Sequence, residues 1–64
     1  MSATLIEQVT SGANGTRIYF CNGQYYLVDG VFDCTQPGEL LEHKSWASFS
    51  TLDEAQEILD DRFN

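Results

Sequence analysis

Thr16-Arg17-Ile18-Tyr19-Phe20-Cys21-Asn22-Gly23-Gln24-Tyr25-Tyr26-Leu27-Val28 decides the fold of this chain. Two runs rich in aromatic and β-branched residues flank Asn22-Gly23, and such runs favour extended backbone. Asn-Gly is the strongest short hairpin signal, because a type I′ turn needs positive φ at both central residues. A two-residue turn fixes the register. Cys21 should face Gln24, Phe20 should face Tyr25, and Tyr19 should face Tyr26. Ile18 then meets Leu27, and Arg17 meets Val28. Alternation sorts the side chains into two faces. One carries Ile18, Phe20, Tyr25 and Leu27, all large and apolar, and is expected to be the core face. The other carries Arg17, Tyr19, Cys21, Gln24, Tyr26 and Val28, and its mixed character predicts a partly wet surface.

On the N-terminal side, residues 4–10 fit a strand or a short helix, with the strand preferred. Ser11-Gly12-Ala13-Asn14-Gly15 is rich in turn formers and reads as a loop. On the C-terminal side, Asp29-Gly30 marks another turn, and Val31-Phe32-Asp33-Cys34 fits a short third strand. Gln36-Pro37-Gly38-Glu39 is a turn by composition. Residues 40–49 read as a strand or an irregular segment.

The chain closes with a helix over residues 52–63. Thr51 followed by Glu54 forms a capping box, in which hydroxyl and carboxylate satisfy amides at the helix start. Leu52, Ala55, Ile58, Leu59 and Phe63 recur at helical spacing as one apolar stripe. That stripe is expected to cover the Ile18/Phe20/Tyr25/Leu27 face. The fold expected is therefore α+β: one domain spanning residues 1–64, with a three- to four-stranded antiparallel sheet built on hairpin 16–28. One C-terminal amphipathic helix packs across that sheet.

Sixty-four residues are enough for a single domain only. A chain of this length buries roughly 60% of the surface its unfolded form exposes, so its core is marginal. Ten acids stand against three bases, for a formal net charge of −7. Naked nucleic acid and anionic membranes both demand a basic patch, so neither is expected as a direct partner. A basic protein surface is the partner class that this charge attracts. The first residues show no basic n-region or apolar h-region, and a cytoplasmic location is expected.

Catalytic and metal chemistry have little to work with. Cys21 and Cys34 are isolated in sequence and lack the close pairing of a structural zinc site. They read as two free thiols, with a Cys21–Cys34 disulfide as the lesser alternative. His43 is the chain's single histidine, and no nucleophile elbow or phosphate-binding loop is present. No cofactor, no metal and no enzymatic activity are expected.

Two sets of residues stand out for binding. Asp53, Glu57 and Asp61 repeat every four residues, with Glu54 and Asp60 beside them, giving an acidic ridge opposite the apolar stripe. Asp60 and Asp61 stand at the negative end of the helix dipole, where acids oppose it. Like charges at i, i+4 add further repulsion. Choices that cost local stability are expected at functional sites. The second set is Tyr19 and Tyr26, since tyrosine is over-represented at binding hot spots.

The size, the acidity and the Thr51-Leu52-Asp53-Glu54-Ala55 helix start resemble those of small bacteriophage proteins that inhibit host machinery. RNA polymerase inhibitors and anti-CRISPR proteins are among them. The similarity is confined to a short, generic stretch and carries over no individual residue. What it implies agrees with the residues: a protein-binding module of inhibitor type. The alternatives are an acidic decoy that mimics DNA and a small accessory subunit of a larger complex.

Overall fold

Asn22 at φ 54° and Gly23 at φ 78° make the turn that the Asn-Gly pair demands. They join strands whose pairing follows from that turn. Phe20 faces Tyr25, Tyr19 faces Tyr26 and Ile18 faces Leu27, and the ladder extends to Thr16 opposite Asp29. The computed structural model describes residues 6–12 and 15–62, with side chains described as far as Asp61. The elements are β1 (Glu7–Ser11), β2 (Thr16–Cys21), β3 (Gln24–Asp29), α1 (Gly38–Lys44), β4 (Ala47–Phe49) and α2 (Leu52–Arg62). The strands form a four-stranded sheet in the order β1-β2-β3-β4. Every neighbouring pair is antiparallel. The α+β architecture expected from the sequence is the one observed, with one helix more.

The expected strand at 4–10 is present as β1, which pairs with β2 through a register shift between Gln8 and Thr10. The part of that expectation covering residues 4 and 5 lies outside the described residues. The same is true of Phe63 in the helix stripe.

On one face, α2 begins at its capping box. Thr51 Oγ1 accepts from the Glu54 amide at 3.3 Å and donates to Glu54 Oε1 at 3.1 Å. Ala55 and Leu59 pack with Ile18 and Leu27, and Tyr25, Phe49 and Leu52 close around them. Gly12 lets the helix approach: a Cβ there would lie 2.9 Å from both Leu59 methyl carbons. Two expectations need correction on this face. Ile58 is 36% exposed rather than buried, because the helix seats on the sheet through Ala55 and Leu59. Phe20 and Tyr25 are half-buried and stack at 4.8 Å near the hairpin tip.

The opposite face departs most from expectation. It is a second core, not a wet surface: Tyr19, Cys21, Tyr26 and Val28 are buried with Ile6, Phe32 and Leu41. Ile6 contributes from the N-terminal side, and the rest of the cover comes from residues 30–46. Gly30, at φ 98°, turns the chain, and its amide donates to Gly15 O at 2.7 Å. The expected third strand at 31–34 is instead a crossing segment that lays Phe32 under the sheet. Its turn is held by Asp33, whose carboxylate accepts from the Thr35 amide at 2.9 Å and from the Thr35 hydroxyl at 2.7 Å. The segment read as strand or irregular at 40–49 divides into the end of α1 and β4. Pro37, with φ −62° and ψ 148°, stands as the N-cap of α1. Leu41 from that helix is fully buried in the second core.

Candidate functional site

The helix that seals the first core carries the chain's densest charge. Asp53, Glu54, Glu57, Asp60 and Asp61 are half of its ten acids, and all five are exposed. At about 100° per residue, Asp53, Glu57, Asp60 and Asp61 fall within one arc opposite Leu52, Ala55 and Leu59. Packing of the apolar side therefore forces the acids outward. Glu54 is engaged by the Thr51 hydroxyl at the helix start. Ile58 borders the acidic arc, one turn from Glu54 and from Asp61. Its partial exposure sets an apolar contact beside a row of carboxylates.

Tyr19 and Tyr26 occupy a different environment from the one their sequence suggested. Tyr19 is 0% exposed, and its hydroxyl accepts from the Phe32 amide at 2.9 Å. Its ring meets Phe32 edge-on at 5.9 Å. This tyrosine anchors the second core and offers no outer surface. Tyr26 is also buried, but it reaches the floor of an open hollow of about 360 Å³ lined with Gln24, Glu42, Ser45 and Ser48. Burial first, then the Glu42 carboxylate and then Cys21, push its hydroxyl above the ordinary tyrosine value. The acidic ridge and the tyrosine pair are thus not brought together: the ridge lies on the α2 side of the sheet and the tyrosines on the other.

The hollow escaped sequence reasoning because it is made of ordinary polar residues from distant positions. Gln24 and Tyr26 alternate on β3, and Ser48 faces Tyr26 across the β3–β4 pair. Glu42 and Ser45 come from the end of α1, where Ser45 Oγ donates to the Glu42 carbonyl at 3.0 Å. α1 itself carries Glu39 in its first turn and His43 and Lys44 in its last. That arrangement complements the helix dipole.

Cys21 is buried and Cys34 exposed, and both are free thiols. No group of three or more His, Cys, Asp or Glu side chains among the described residues is placed to hold a metal ion. No helix among them is long and apolar enough to cross a membrane. Trp46, 39% exposed, donates its indole N–H to Asp29 Oδ1 at 3.1 Å. Asp29 also accepts from the Thr16 hydroxyl at 2.8 Å, so its carboxylate ties the ends of β2 and β3 to the start of β4. No protein-family model, curated protein or solved structure matches this chain.

Proposed function

We propose that this chain is a non-enzymatic protein-binding module of inhibitor type, acting in the cytoplasm, that docks on a basic surface of a partner protein through α2. One observation carries the reading: Asp53, Glu57, Asp60 and Asp61 are all exposed on the helix side turned away from the core. Ile58 adds an apolar contact at their border. Charge of one sign steers a basic partner and speeds its approach, while a partly desolvated apolar residue holds it once docked. Two free thiols suit a reducing compartment.

The test is affinity capture from cell extract, with the natural chain and the Glu57→Gln, Asp61→Asn variant run side by side at low and high salt. Those substitutions keep shape and remove two charges. A protein held by the natural chain and lost with the variant at low salt supports the reading. Equal retention of every protein by both chains overturns it. An Ile58→Ser variant separates docking from a DNA-mimicking decoy. A decoy's affinity follows charge alone and would be untouched, whereas a docked helix would lose affinity.

A further inference from the structure

Among the described residues the sheet has two open edges, and they are not equivalent. β1 carries a register shift between Gln8 and Thr10, and such bulges twist an edge away from further pairing. β4, at the other end, keeps continuous register with β3 from Ala47 to Phe49. No strand lies on its outer side among the described residues. The polar hollow sits beside this second edge, with Ser48 belonging to both.

The hollow is lined by an amide and three hydroxyls, which both donate and accept hydrogen bonds, and by one carboxylate, which only accepts. Among Gln24, Tyr26, Glu42, Ser45 and Ser48, Glu42 is the one charged residue. Sites for drug-like molecules are mostly apolar with a few polar groups. A hollow that is polar throughout and carries one carboxylate suits the cationic head of a side chain instead. Arginine matches it better than lysine, because its planar fork offers five donors to several acceptors at once.

We propose that this hollow receives the guanidinium of an arginine carried by an extended segment of a partner protein, added as a strand along β4. The inference rests on the reading of this chain as a binder of basic proteins, but it uses a different surface from α2. In strand addition the backbone supplies affinity and alternate side chains supply specificity. Here β4 is three residues long. It forms few main-chain bonds, and the arginine dominates. A residue directly across from Ser48 projects to the same face of the sheet as Ser48. That is the face bounded by α1, where Glu42 stands. Tyr26, in the hollow's lining, adds its hydroxyl as a further hydrogen-bonding group.

The experiment is an amide-shift titration of the full chain with a blocked Thr-Val-Arg-Val-Thr peptide, repeated with citrulline in place of arginine. Saturable shifts centred on Ala47, Ser48, Phe49 and Tyr26 are expected. Glu42 is exposed, so Glu42→Gln should leave the free spectrum folded. It should weaken the arginine peptide about tenfold, the loss of one charge-assisted hydrogen bond. The citrulline peptide should be weakened similarly on the natural chain. Absence of saturation at millimolar peptide overturns the proposal, and so does unchanged affinity in Glu42→Gln. The Glu57→Gln, Asp61→Asn variant should bind the peptide as the natural chain does. If that variant loses the peptide while Glu42→Gln keeps it, the peptide reads α2. The edge proposal then fails while the broader function stands.

Discussion

The phenol oxygen of Tyr19 accepts a hydrogen bond from the backbone amide of Phe32, thirteen residues along the chain, at 2.9 Å in a fully buried setting. This contact fastens the crossing segment to the sheet. Tyr19→Phe keeps the ring and its edge-on packing but leaves the Phe32 amide without that acceptor. A buried donor stranded in this way costs about 1–3 kcal/mol. Urea unfolding of the variant should show a lower midpoint with an unchanged slope, since the surface exposed on unfolding is the same. An unshifted midpoint would mean that water replaces the hydroxyl.

The two apolar residues Ile58 and Leu59 should behave differently although they are adjacent. Leu59 is 4% exposed in the α2 core, and Leu59→Ala should cost about 2–5 kcal/mol through lost transfer energy and a cavity. For a domain whose total stability is about 5–15 kcal/mol or below, that is a large share. Ile58→Ala should cost well under half as much, because the side chain already meets solvent. Thermal melts of the two variants check the ranking. Equal losses would show that α2 seats through both residues.

Tyr26 should titrate above its ordinary value of 10.0, owing to burial first and to the Glu42 carboxylate second. The sign for stability follows directly. The folded state favours the neutral phenol, so this contribution is complete below the ordinary value and fades as pH rises through the raised one. Absorbance of tyrosinate in alkaline titration reads it. Glu42→Gln should bring the Tyr26 step part of the way down, leaving the shift that burial causes. A step that does not move would separate Glu42 from the hollow.

Asp33 behaves oppositely. Hydrogen bonds from Thr35 hold its carboxyl below the ordinary range. A depressed carboxylate favours the fold above its ordinary value, and the benefit fades as pH falls through the lowered one. Under those acidic conditions the acceptor of the Thr35 amide should weaken, because the neutral carboxyl accepts less strongly than the carboxylate. The amide's hydrogen exchange, corrected for the intrinsic pH effect, should then rise before global unfolding begins. Protection that persists until the whole domain unfolds would show the turn to be held by its neighbours instead.

The acidic ridge is also a statement about stability. Asp53, Glu57 and Asp61 repel at i, i+4, and Asp61 opposes the helix dipole. The Glu57→Gln, Asp61→Asn variant should therefore unfold at slightly higher denaturant, by a few tenths of a kcal/mol. Weaker capture of a partner with a firmer fold is the paired outcome expected of a binding surface.

Local chemistry was sufficient for the hairpin and the last helix. Asn22-Gly23 admits one turn geometry and hence one register, and parity then assigns every side chain from Thr16 to Asp29 to a face. Thr51 and Glu54 start α2 where the capping box places it. Periodicity put Asp53, Glu57, Asp60 and Asp61 outward for the same reason that it put Ala55 and Leu59 inward. What covered the second face was decided only in three dimensions. Tyr19, Cys21, Tyr26 and Val28 looked half-polar beside Arg17 and Gln24, because alternation shows which residues share a face and not what lies over it. Beyond Ile6, that cover comes from Phe32, in a segment without period, and from Leu41, the one buried apolar side chain of a seven-residue helix that begins at a glycine. Neither leaves a repeating pattern in the sequence, since a short crossing segment and a single-residue anchor are stabilised by the sheet they meet and not by their own backbone.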